Sequence, residues 1–266
     1  MISSSLSPVF GSLAVAGILA VAGCGGSSGP SASGGASRTA TSSAAASTAA
    51  PPARVTDGGS VDAAAVIAPV VAAIKAARSG HATLGGAMTG TEDFELSKGI
   101  RAQFTVRGAE LQVISTGSVL YLKGLPGITK WLKIDPHGSS AMDRAMSSVG
   151  DLTKSSDPST MLRMFGAGKA TKVAAESVAG KPTTRYRFVV SPAAYAKAMG
   201  KGLLANAVKH PITTEVWVGS DNLPVKATST VTVGAKSSTS TVLYSDWGKP
   251  VSITAPPASE VTKTPF

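Results

Sequence analysis

The chain has 266 residues, of which 15% are charged, with a formal net charge of +10 and a single cysteine. One cysteine excludes an intramolecular disulfide framework. Aromatic residues are only 5%, and the basic residues are spread along the chain rather than interleaved with aromatics, which argues against a nucleic-acid interface.

The N-terminus reads as an export signal. "VFGSLAVAGILAVAG", ending at Gly23, is about fifteen apolar or small residues, the length of a signal h-region and too short for an ordinary spanning helix. The n-region "MISSSLSP" has no Lys or Arg, so the physiological start codon is expected elsewhere or the α-amino group alone supplies the positive charge. "VAGC", Val21 to Cys24, resembles the bacterial lipobox. That resemblance implies a diacylglyceryl group on the Cys24 sulfur and cleavage that leaves Cys24 as the first residue. The physics agrees: a buried methylene contributes about 0.8 kcal/mol and stable anchoring takes about two chains, which a diacylglyceryl cysteine supplies. Residues 1–23 are thus expected to be a lipoprotein signal peptide.

Residues 24–59 are expected to be the lipidated Cys and a disordered tether of Gly, Ser, Ala, Thr and Pro with few charges, too poor in apolar residues to fold. About 35 residues of such coil span on the order of 30 Å. "GGSSG" matches the G-x-S-x-G esterase pattern at Ser27, but that pattern needs a strand–turn–helix context. The folded part is expected over 60–266 as one domain, with a core ending near Ile253 and a short extended C-terminal tail.

"SVDAAAVIAPVVAAIKAARSG" predicts a helix with Ser60 as N-cap and Gly80 as the glycine beyond its end. Val66, Ile67, Val70, Val71 and Ile74 form its apolar face, and Pro69 should kink or divide it. Strict alternation follows. Ile100, Ala102, Phe104 and Val106 oppose Arg101, Gln103, Thr105 and Arg107. "ELQVIST", "SVLYLKG" and "KWLKID" come next. Tyr186, Phe188 and Val190 oppose Arg185, Arg187 and Val189; Val225, Ala227, Val231 and Val233 oppose Lys226, Thr228, Thr230 and Thr232; "STSTVLYSDW" is the last long strand. Period-two alternation with one wet face marks an antiparallel sheet covered on one side. Between the strands, "SSAMDRAMSSV" and "DPSTMLRMF" predict short helices, the second capped by Asp157 with Pro158 in its first turn. "SPAAYAKAM" repeats that design with Ser191 and Pro192. The fold class expected is α+β: a strongly curved antiparallel sheet, a half-barrel, with helices packed on its concave face.

Catalytic and metal chemistry find little support. His81, His137 and His210 have no metal-ligand spacing. "GAGKAT" fails as a phosphate loop, with Arg163 at the first Gly position and Ala170 at the Ser/Thr position. No enzyme activity, metal or cofactor is expected. The outward Arg101, Arg107, Arg185, Arg187 and Lys226 read as a solvated face, with mild attraction to anionic headgroups or wall polymers as the functional alternative. Met142, Met146, Met161 and Met164 lie on the two middle helices. Met packs adaptably, so these residues either fill the core or line an acyl-chain cavity.

"VLYLKG" then "WLKID", "DPSTMLRMF", "ESVAGKPTTRYRF", "TEVWVGSDNLPVKATSTV" and "YSDWGKPVSITAPPASEV" resemble, in that order along the chain, the LppX/LprAFG family of actinobacterial envelope lipoproteins, and more distantly the LolA/LolB lipoprotein carriers. "WVGSDNLPVK" is the most specific piece: strand, tight turn at Asp221-Asn222, Pro224, strand. The resemblance covers most of 60–260. It implies a LolA-like half-barrel with an apolar cavity that holds an acylated lipid or glycolipid, and it brings no shared catalytic residues. Of functional positions only Cys24 carries over directly; Met142, Met146, Met161, Met164, Tyr186 and Phe188 are the cavity candidates. The expected protein is a monomer, lipid-anchored on the extracytoplasmic face of the cell membrane and free of nucleic acid, that binds a hydrophobic ligand, with lipid transfer across the envelope as a further expected role. The long tether favours holding over long-range ferrying. The alternatives are an envelope sensor or scaffold of the same fold, and, more weakly, a hydrolase of wall or lipid.

Overall fold

A computed structural model of the chain describes residues 58–86, 88–106, 108–117, 119–135, 165–166, 169–199, 208–233 and 236–262. The elements in order are β1 (Ser60–Asp62), α1 (Ala63–Ala77), β2 (Ser79–Gly86), β3 (Met88–Glu95), β4 (Gly99–Val106), β5 (Ala109–Thr116), β6 (Val119–Lys123) and β7 (Trp131–Ile134). After residues 136–164 come β8 (Lys169–Val178), β9 (Lys181–Val190), α2 (Pro192–Met199), β10 (Ile212–Gly219), β11 (Pro224–Val233), β12 (Lys236–Ser245), a 3-10 turn at Ala258–Glu260 and β13 (Val261–Thr262).

The thirteen strands form one sheet in the order β1-β8-β9-β10-β11-β12-β2-β3-β4-β5-β6-β7-β13. Two meanders, β8–β12 and β2–β7, join where β12 pairs with β2. Every pairing is antiparallel except that of β13 with β7. The hairpins follow from their turn residues. Ala179 and Gly180 both have positive φ, 50° and 77°, the type I′ geometry whose twist suits two paired strands. At the β10–β11 turn Asn222 has φ 60°, and the Asp221 carboxylate accepts from the Leu223 N–H at 3.0 Å. This is the tight turn expected at Asp221-Asn222.

The sheet is open and curved. Helix α1 carries the chain from edge strand β1 to β2, six strand positions away. On a flat sheet six steps of about 4.8 Å come to about 29 Å. The helical path from Asp62 to Ser79 is only about 25 Å long. The chord is shorter than the flat distance, so the sheet bends. Open sheets of more than about ten strands curl for the same twist reasons.

Helix α1 differs from expectation at both ends. Asp62, not Ser60, is the N-cap: its Oδ1 accepts from the Ala64 and Ala65 N–H groups at 2.8 and 3.3 Å. Ser60 is drawn into β1, opposite Thr171. The left-handed C-terminal residue is Arg78, φ 68°, not Gly80. Gly80 lies inside β2 for a packing reason: a Cβ there would stand 2.6 Å from Phe94 Cζ and 3.1 Å from Trp247 Cε3. Pro69 sits within α1, which runs unbroken from Ala63 to Ala77. Ile67, Val70, Val71 and Ile74 are buried, the face the spacing predicts. Helix α2 starts as expected, with Ser191 Oγ accepting from the Ala194 N–H at 3.2 Å. The expected middle helices, "SSAMDRAMSSV" and all but the last residue of "DPSTMLRMF", lie outside the described residues.

The tail is not merely extended. Val251, Ile253 and Val261 pack with Ile114, Tyr121 and Trp131 into a small second core on the outer side of the sheet, and β13 then adds a strand beside β7.

Gly80→Ala should force the Phe94 ring off its seat against Trp247 (ring centroids 5.3 Å apart, near-perpendicular) and lower stability by about 1–3 kcal/mol, read as a shift in the urea midpoint.

Candidate functional site: the apolar face of the sheet

The alternating residues put one dry face on the sheet. Ala82, Leu84, Phe94, Phe104, Val113 and Leu122 from the β2–β6 half are buried in the same cluster as Ala170, Phe188, Val190, Val216, Val231 and Val242 from the β8–β12 half. The buried side of α1, Phe165 and Tyr195 of α2 belong to it too. At about 25 cal/mol per Å², this one apolar surface dominates the energetics of the domain.

Of the six sequence-derived cavity candidates, two lie in described residues. Phe188 is buried in the cluster, its ring 5.5 Å from that of Phe165 and tilted by 58°. Tyr186, two residues earlier on the same face of β9, is half-buried and packs against the cluster. Met142, Met146, Met161 and Met164 lie outside the described residues, as does Cys24. Phe165, the last residue of "DPSTMLRMF", is buried in the same cluster.

The sequence reading missed Glu92. In β3 it alternates with Met88, Gly90 and Phe94, so its side chain points to the dry face. An in-register row runs from Tyr244 in β12 through Ala82, Glu92, Ala102 and Val113 to Leu122 in β6. Glu92 is 1% exposed, and neither carboxyl oxygen has a hydrogen-bond partner among the described residues. Burial, with a smaller contribution from the neighbouring Asp93 charge, pushes its pKa up to about 8, so at neutral pH the group is mostly a neutral acid. Among the described residues, the buried Tyr195 hydroxyl and Ser240 Oγ likewise lack a hydrogen-bond partner. Burial raises the Tyr195 phenol to about 12. It also raises the Tyr244 phenol, with the Glu92 charge as the smaller cause. The period-two pattern of "MTGTEDFE" was the available signal: an acid occupies an inward position.

The outward face is charged as expected, yet part of that charge is paired. Arg187 meets Glu215 at 2.7 Å, and Arg185 bridges Glu176 at 3.0 Å and Glu215 at 3.4 Å. Trp217 donates its indole N–H to Glu176 at 2.9 Å and lies under Lys226, whose Nζ is 4.3 Å from the ring centroid. The arginines are fixed by partner acids, so little net charge remains there for steering. A cavity of about 220 Å³ on the outer face near Thr91, Asp93, Arg101, Gln103 and Gln112 is polar, the wrong chemistry for acyl chains. His81 Nδ1 lies 2.8 Å from Asp93 Oδ1. Among the described residues no group of three or more His, Cys, Asp or Glu side chains could hold a metal ion, and no helix is long and apolar enough to cross a membrane.

No sequence-family model matches the chain, and no curated protein matches it. Solved structures do. LprF from Mycobacterium bovis superposes with a TM-score of 0.50 at 14% identity, covering 73% of this chain and 96% of LprF. The Mycobacterium tuberculosis lipoprotein LppX gives 0.48 at 17% identity, covering 72% of this chain and 97% of LppX. The likeness to LprF shows the resemblance to the LppX/LprAFG family at the level of the fold.

Glu92 fixes a pH dependence. The folded state holds a proton that the unfolded chain releases between the usual value of 4.5 and about 8. The stability tied to that proton is fully present below pH 4.5 and is lost as pH rises through 8. Glu95 and Asp246, lowered by hydrogen bonds to Lys98 and Lys249, act below this window. The unfolding free energy should fall from pH 5 to pH 9, by a few kcal/mol at most on the order-of-magnitude linkage, read as a lower urea midpoint, and stay level in Glu92→Gln.

Proposed function

We propose that this chain is a membrane-anchored envelope lipoprotein that binds an acylated lipid along the dry face of its curved sheet. The observation that carries the reading is the single apolar cluster running across both meanders. A face of that extent on one side of an open sheet needs cover; α1 and α2 supply part of it, and in this reading acyl chains lie in a concave lumen over the rest. The fold shared with LprF supports the same reading. Tyr186 and Phe188 line that lumen at the β9 side, and Met142, Met146, Met161 and Met164, in segments whose sequence predicts helices, are its proposed adaptable contacts. The work is burial rather than chemistry: each apolar Å² hidden contributes about 25 cal/mol before ordering costs. Cys24 carries the anchor, which places the domain on the extracytoplasmic side of the membrane, and residues 24–59 tether it there. Transfer between envelope layers would follow if the helices open.

Native mass spectrometry of the protein from its own host should show bound lipid, and the delipidated protein should take up a fluorescent phospholipid. A ligand-free protein that takes up none, with side chains filling the lumen, would instead fit a scaffold. Cys24→Ser should move the protein from the membrane to the soluble fraction while lipid uptake by the domain is unchanged, read by fractionation and the same fluorescence assay.

A further inference from the structure

We infer that Glu92 is the polar anchor of the lumen, and that it takes a hydroxyl group carried by a neutral, acylated amphiphile; this rests on the lipid-binding reading above. The carboxyl sits on the dry face with both oxygens unpartnered among the described residues. Its in-register neighbours on both adjoining strands are alanines, Ala82 and Ala102. An apolar residue at this position would satisfy the core better, since an unpartnered buried polar group is costly. The acid costs folding stability, the kind of trade-off found where a side chain serves function.

The chemistry of the partner follows from charge. Among the described residues no cation faces Glu92: its electrostatic neighbours there are Asp93, which is turned to the outer face and bound to His81, and the Tyr244 phenol. Burial keeps the acid protonated at neutral pH, so it offers one O–H donor and acceptor oxygens. A cationic headgroup would have to enter a protein of formal charge +10 and ionise the acid. A neutral hydroxyl needs neither. Tyr195 and Ser240, the other unpartnered buried hydroxyls, add two polar points to the same apolar region. The occupant is therefore an amphiphile with oxygen functions among its chains, not a bare hydrocarbon.

Three pyrene probes of equal chain length test this with the full-length protein in detergent: dodecylpyrene, 12-(1-pyrenyl)dodecanol and 12-(1-pyrenyl)dodecylamine. The wild type and Glu92→Gln, which keeps a donor and an acceptor, should bind the alcohol about tenfold more tightly than the hydrocarbon. Glu92→Leu should bind both alike, while its urea midpoint at pH 7 rises above the wild type. That rise separates lost recognition from lost folding. Equal binding of alcohol and hydrocarbon by the wild type, or a preference that survives in Glu92→Leu, overturns the role of Glu92 and leaves the lipid-binding reading standing. An amine bound more tightly than the alcohol overturns the choice of a neutral partner. Binding of no probe by any variant overturns the lipid-binding reading itself, and this inference with it.

Discussion

The rest of the structure depends on one constraint: strands that alternate apolar and polar residues must keep one face dry. In a closed barrel the sheet covers itself, and in a sandwich another sheet supplies the cover. Here the sheet is open, with edges at β1 and β13, and a curved sheet encloses more of its dry face than a flat one. Helix α1 works as a chord across that curve. Its length limits how far β1 and β2 can separate, and its buried side chains enter the cluster they cover. The C-terminal tail answers a smaller version of the same demand, covering Ile114 and Trp131 on the other side of the sheet.

The elements most legible in the sequence were those where local pattern and final packing agree. "WVGSDNLPVK" folds as strand, turn and strand because Asn222 accepts a left-handed conformation and Asp221 caps the turn. The alternation at Tyr186–Val190 and Val225–Val233 held because each strand has one wet neighbour face. The ends of α1 were less legible. Ser60 and Asp62 are both good caps, and only pairing with β8 decides that Ser60 joins a strand. Gly80 resembles a helix stop, but its use is to leave room for the Phe94 and Trp247 rings, which come from distant positions. The ion pairs of Arg185 and Arg187 with Glu176 and Glu215 depend on the β8-β9-β10 register, which no local pattern contains.

Glu92 was legible in principle, because its parity in β3 matches that of Met88 and Phe94. What the sequence does not contain is the absence of a partner. A buried acid usually faces a cation; here its row offers alanines and a phenol. Stability and function then pull apart. The neutral acid weakens the core that surrounds it and, on the function proposed above, gives the apolar face a position at which one amphiphile can be told from another. The exterior is built the other way, with part of the charge on the outer face matched by neighbours, as at Arg187–Glu215 and Lys98–Glu95.

The central claim is that the dry face of the sheet is where acyl chains lie. The most direct measurement is a crystal structure of the protein saturated with a phospholipid brominated along its acyl chains, with bromine located by anomalous scattering. The account predicts bromine peaks on the inner side, between α1 and the Phe188–Val216–Val242 side of the sheet. Peaks confined to the outer face, or an inner face filled by side chains with no bromine, would contradict it.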